Sequence, residues 1–371
     1  MAGRSTAQGL AGMRRQRTQA NRALLPTTSV EDSLQSVTSK SFARLPGADS
    51  IRVLALLAVF LHHSISVLGA GQPHWFLECS RLGTDLFLIL SGCLIHRSLR
   101  SRPDYRAYLI RRFFRIYPAF AFMLLVYIGV LYRFFPGHSK LPIEPAAAIL
   151  MVIGNLAILP LAFGTTPIMT VSWALGFICL FYVLTPPMIY CLKSYSPSVR
   201  LLIWAVITIL TFSIAGRAAL IPLGVVLSKV IDIAAAPSWV NLFSITVLGR
   251  AFDVDPRIHI ICSAIAAFSL CWWALPQLRL AVRLESLSRI SYSFYLTQGL
   301  AVLALGLTPL PFLIAMPLAF VCAVTGASLV YRFIEKPFFA LSGRAHMHTS
   351  RAGAAIHIGA EAQIWDGSAR T

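Results

Sequence analysis

Arg52 and His63 are the first two residues whose types and spacing could do chemistry. They stand eleven positions apart in an otherwise apolar run, Ile51-Arg52-Val53-Leu54-Ala55-Leu56-Leu57-Ala58-Val59-Phe60-Leu61-His62-His63. At about 100° per residue that separation is three turns plus roughly 20°, so both side chains fall on one helix face, about 16 Å apart along the axis. His62 is rotated about 80° from Arg52. One substrate can span the pair, with an anionic group at Arg52 and a reacting atom at His63. Imidazole titrates near neutral pH, and an ionisable group inside a bilayer is costly unless it faces a polar cavity, so His63 is a candidate general base. The competing reading is a histidine hydrogen-bonded within a helix bundle. The next apolar run opens with Gly83-Thr84-Asp85-Leu86-Phe87. If its helix returns to the starting edge near Ile95, Asp85 lies about 15 Å deep, against about 18 Å for His63. At matching depth its carboxylate would hold the imidazole tautomer and stabilise the imidazolium. Asp85 also fits a cap for a helix beginning near Gly83.

A third cluster, Arg111-Arg112-Phe113-Phe114-Arg115-Ile116-Tyr117-Pro118, puts Arg111 and Arg115 on one face at i, i+4. Guanidinium groups bind phosphate in bidentate fashion, so Arg52, Arg111, Arg112 and Arg115 read as a mouth for a phosphorylated ligand. Arginines that only anchor helix ends at the membrane surface give the same pattern. Trp173 and Tyr182 offer aromatic walls, and Ser291 to Gln298 is polar enough to line an interior, which adds Tyr295 and Gln298 to the substrate-binding candidates. Glu335, in Tyr331-Arg332-Phe333-Ile334-Glu335-Lys336-Pro337, reads as a structural partner for an arginine.

The elements that must position these residues are transmembrane helices. Hydrophobic residues make up 57% of the 371 positions and charged ones 12%, where a soluble chain has about a quarter charged. Spans need roughly 20 mainly apolar residues. Such runs fall near 51–69, 76–95, 116–135, 146–163, 168–192, 199–215, 218–234, 258–276, 290–306 and 309–333, which predicts an all-α polytopic bundle of about ten transmembrane helices. Segment 235–257 is left as an outer loop, with an interfacial stretch around Trp239 and Phe243. The formal charge of +18 raises a nucleic-acid partner, but its placement follows the positive-inside rule and argues against one. Basic residues crowd the first fifty positions, the stretch from His96 to Arg115, and Arg279, Arg283 and Arg289. Both termini are therefore expected in the cytoplasm, with 1–47 a basic, disordered tail, 48–340 one membrane domain and 341–371 a second tail. The seven cysteines lack a C-x-x-C pair and lie mostly in apolar runs; they read as core residues, and no metal site is expected.

Taken together these residues resemble the bacterial acyltransferase-3 family, multispan enzymes that acylate hydroxyls of surface sugars. The resemblance rests on Asp49-x-x-Arg52 followed by His63, on Gly83-x-Asp85-x-Phe87 with Ser91-Gly92, on Arg111-Arg112-x-x-Arg115-Ile116-x-Pro118, on Ser291-Tyr292-Ser293-x-Tyr295-Leu296, and on Tyr331 to Pro337. It implies an acyl-coenzyme A co-substrate, acetyl-coenzyme A by preference, on the cytoplasmic side. It also implies His63 as the essential base, a sugar, polysaccharide or glycolipid acceptor, and a bacterial inner membrane. Two positions depart from the family pattern. The glutamate five residues after the tryptophan of the fifth span is Ile178 here, and the histidine ending the Ser-Tyr-Ser-x-Tyr-Leu-x-His run is Gln298. A transporter, since intramembrane charges also serve permeation, and a catalytically divergent relative are the alternatives.

Overall fold

Backbone groups inside a bilayer have only each other to bond, so apolar runs there become helices. The computed structural model describes residues 48–69, 81–101, 104–138, 140–158, 160, 164–233, 264–265, 268 and 286–341, all within one unit, Gly47–Thr371. In chain order the helices are α1 (Ala48–Leu68), α2 (Leu82–Ser101), α3 (Tyr105–Phe134), α4 (Pro145–Leu156), α5 (Ser172–Leu192), α6 (Pro197–Ala215), α7 (Leu220–Ile233), α8 (Ser291–Gly306) and α9 (Phe312–Val330). A π-helical turn, Tyr331–Glu335, carries α9 on to Leu341.

The fold is all-α among the described residues, as the hydropathy pattern predicts. Six helical stretches there are long and apolar enough to cross a membrane: Ala48–Leu68, Leu82–Arg100, Tyr105–Phe134, Ser172–Leu192, Pro197–Lys229 and Phe312–Leu341. The fifth of these is α6 and α7 folded back on each other. Gly216 breaks the run at φ +53°, a region that residues with a Cβ rarely enter. Arg200 and Lys229 consequently come within electrostatic reach, where a straight helix would hold them roughly 43 Å apart.

The expected fourth span, 146–163, is corrected. Its helix, α4, has 12 residues, about 18 Å, against a hydrocarbon core of about 30 Å. Among the described residues between α4 and α5 there is no further α-helix, and their backbone is held by one amide. Asn155, fully buried, donates through Nδ2 to the carbonyls of Met151 (2.9 Å) and Thr166 (3.0 Å), and its Oδ1 accepts from the N–H of Ile168 (2.9 Å). A side chain thereby satisfies irregular backbone at a depth where water cannot. The expected eighth span, 258–276, the segment with Trp239 and Phe243, the 1–47 tail and the residues after 341 lie outside the described residues.

Because α4 is short, α5, α6 and α7 run opposite to the directions that an alternation of ten spans gives them. Taking the end of α1 that carries Arg52 as the basic end, α2 ends there and α3 begins there, since Arg112 and Arg115 reach Arg52 electrostatically. α5 also ends there: the Arg112 guanidinium sits 4.9 Å from the Tyr182 ring centroid. α6 and α7 then go out and back, so α7 runs parallel to α2. That pair is in backbone contact. A methyl group on Gly92 would run into the carbonyl oxygen of Ile221, and one on Gly224 into that of Ile89; this is the small-residue packing on which membrane helices depend. Farther along, the thiol of Cys93 donates to the Gly224 carbonyl (3.0 Å) and His96 Nδ1 pairs with Ser228 Oγ (3.0 Å).

α8 leaves the basic end beside α1. Ser288, just before it, donates to Asp49 Oδ1 at 2.7 Å, and the Phe60 and Phe294 rings meet edge to face at 5.8 Å. α9 returns along α8, its Ala319, Ala323 and Ala327 fully buried. The central core joins Val59 of α1, Phe120 and Met123 of α3, Leu175 of α5 and Tyr295 and Leu296 of α8.

Candidate active site

Val59 is in that core, and His63 follows it by one turn on the face shared with Arg52, so the face turns toward the interior where α1, α3, α5 and α8 pack. At its basic end the arginines gather. Arg52 Nη1 donates to Asp49 Oδ1 at 2.6 Å, while Arg112 and Arg115 lie close enough to act on it electrostatically. Arg112 is clasped by aromatic rings, 5.2 Å from the Tyr108 centroid and 4.9 Å from that of Tyr182, a geometry in which the ring faces attract the cation. Arg115 lies near Glu335, whose Oε2 accepts from Ser293 Oγ at 2.7 Å. The π turn brings this carboxylate inward, leaving Glu335 only 5% exposed; such turns recur where a helix serves a site. Arg111 is half-buried one turn before Arg115, on the same side of α3.

Farther from the basic end, Tyr295 stacks on Phe87 at 5.8 Å and donates its hydroxyl to the carbonyl of Val171 at 2.6 Å. That bond ties α8 to the start of α5. Gln298, three residues on, is fully buried, and neither its Oε1 nor its Nε2 has a hydrogen-bond partner among the described residues. Its direction on α8 falls between Phe294, which meets α1, and Tyr295, which meets α2 and α5. It therefore faces the bundle interior near the level of His63. His63 and His62 stand edge to face at 5.6 Å, and Ser64 Oγ, also fully buried, has no partner among the described residues.

Two expected placements change. Asp85 is not at the depth of His63, because Gly83 packs on the Ala55–Val59 turn of α1 and Asp85 stands two residues closer still to the basic end, roughly 9–15 Å from the level of His63 at 1.5 Å per residue. Its carboxylate is instead engaged by Arg217, whose Nη1 lies 2.9 Å from both Oδ1 and Oδ2. Arg217 is a partner for Asp85 that residue spacing did not point to. Its signal was present: it is the one charge between two long apolar runs, directly after Gly216. Trp173 packs edge to face on Phe177 at 6.4 Å and is turned about 140° from Ile178, away from the line Leu175, Ile178 and Tyr182 that faces the interior. Ile178 is buried, 8% exposed, and puts an apolar wall where the family pattern has a carboxylate.

This arrangement has arginines gathered at one end, aromatic rings beside them, and deeper in the bundle a histidine and an amide that has no partner among the described residues. The profile of the Acyl_transf_3 family, described as an acyltransferase domain, matches residues 45–249. That is more than half of the chain. The chain belongs to the acyltransferase-3 family. With its long apolar helices, this acyltransferase is an integral membrane protein. The matched region contains Arg52, His63, Asp85, the Arg111–Arg115 cluster and Arg217, whereas Tyr295, Gln298 and Glu335 lie beyond it. No curated protein matches the chain, and no solved structure matches it.

Proposed function

We propose that this acyltransferase moves an acyl group, acetyl by preference, from acyl-coenzyme A to a hydroxyl of a sugar, polysaccharide or glycolipid precursor at a bacterial inner membrane. The observation that carries the reading is the shared face of Arg52 and His63, with Arg112 and Arg115 converging on its basic end. Arg52, Arg112 and Arg115 bring three positive charges together with two carboxylates, Asp49 and Glu335, in reach, an excess that suits a phosphorylated donor. The acyl thioester would extend along the face toward His63.

His63 then takes the proton of the acceptor hydroxyl. The oxygen forms the new C–O bond at the thioester carbonyl, the C–S bond breaks, and the departing thiolate recovers the proton from the imidazolium. Gln298 can donate to and accept from the substrate, which makes it an orienting group that does not titrate. Asp85, held by Arg217, contributes a fixed ion pair beside the site.

The test is transfer of labelled acetyl from acetyl-coenzyme A to candidate glycans by the purified protein. His63→Ala should lower the rate by about 10²–10⁴-fold while the protein still inserts. Full activity in that variant would sink the mechanism. Uptake of label into vesicles without an acylated product would replace the enzyme reading with a carrier.

A further inference from the structure

Away from the Arg52–His63 face, on the other flank of α8, the protein holds a slot of about 520 Å³ between α3, α8 and α9. Its α8 and α9 floor is made of small residues, Ala301, Ala304 and Gly326, and its rims of large ones, Phe122, Leu329 and Phe333. Small residues in membrane helices usually admit a neighbouring helix. Here no described helix fills the gap. A Cβ on Gly326 would meet only Thr297, at ordinary contact distance of 3.7 Å. The polar atom in the lining, the Thr297 hydroxyl, is already spent on the carbonyls of Ser293, Phe294 and Ala323, so nothing in the slot asks for a polar ligand.

Along α9 the lining runs from Cys322 to Ile334, about 18 Å and so more than half the hydrocarbon thickness. It ends at the basic end of the bundle. There Arg332 and Lys336, both exposed, flank Phe333 and Ile334. We propose that the slot binds one hydrocarbon chain of an anionic bilayer phospholipid, with its phosphate held at Arg332 and Lys336. An apolar chain of this length fits the slot, and a phosphate at the polar surface complements the two cations. The site is separated from the Arg52–His63 face by α8, and the inference does not depend on the acyl-transfer reading.

The experiment reconstitutes the full chain with phosphatidylglycerol or phosphatidylcholine and counts retained lipid by native mass spectrometry. A phosphatidylglycerol carrying a diazirine on its acyl chain maps the contact. Retention of phosphatidylglycerol over phosphatidylcholine by roughly tenfold, with label in the peptide containing Cys322 and Gly326, is the expected result. Ala304→Leu with Gly326→Leu should abolish both. Arg332→Gln with Lys336→Gln, two exposed changes, should keep the chain label and remove the preference for the anionic lipid. Label distributed evenly over the lipid-facing helices, or an unchanged preference in the charge variant, would overturn the proposal, even where the slot-filled protein fails to fold.

Discussion

At the basic end, the principal charged side chains have partners: Arg52 on Asp49, Arg112 between Tyr108 and Tyr182, and Glu335 on Ser293. A few turns deeper, Gln298 and Ser64 are fully buried with none among the described residues. A buried polar group without a partner costs about 1–3 kcal/mol, so the deeper region carries a cost that the basic end avoids. The two regions therefore have different work. The first is a charged cluster whose members hold one another in place, and the second has hydrogen-bonding capacity that the described residues leave unused.

Three changes break or sharpen this contrast. The largest effect is expected at Asp85, 1% exposed and held by Arg217. Asp85→Leu leaves the arginine facing an apolar neighbour and should destabilise the protein by about 3–5 kcal/mol, read as a shifted unfolding midpoint in detergent. Adding Arg217→Leu should recover most of that loss. Next comes the charged cluster: Arg115→Gln should raise the KM for acyl-coenzyme A by about 10–100-fold, the value of one charge-assisted hydrogen bond, with kcat little changed. An equal loss in kcat would place Arg115 at the chemistry instead. The smallest effect, and the most diagnostic, is at Gln298. Gln298→Met removes the orphaned amide, so the ligand-free protein should gain about 1 kcal/mol while transfer slows. A loss of stability would show that the amide is already satisfied and would merge the two regions into one.

Much of this contrast was legible in the residues. Helices follow from apolar runs because a bilayer offers the backbone no other partner, and the common face of Arg52 and His63 follows from the angle per residue. The polar run from Ser291 to Gln298 does line the interior, through Ser293 to Glu335 and Tyr295 to Val171. Depth and direction were harder to read. The run 146–163 is apolar enough to span, and hydropathy does not register that Asn155 can pin it into a 12-residue helix and a loop. That one event reversed α5, α6 and α7, set α7 parallel to α2, and so delivered Arg217 to Asp85.

By itself the sequence determined an all-helical membrane bundle, a histidine and an arginine on one face, and a cluster of arginines at one helix end, since each depends on interactions within a helix or on transfer to the bilayer. Tertiary structure alone decided which groups meet. It gave Asp85 to Arg217, clasped Arg112 between Tyr108 and Tyr182, and left Gln298 without a partner among the described residues. Those outcomes depend on the level at which two helices cross, which close contacts such as Gly83 on Ala55–Val59 and Gly92 on Ile221 set, and which no local pattern encodes.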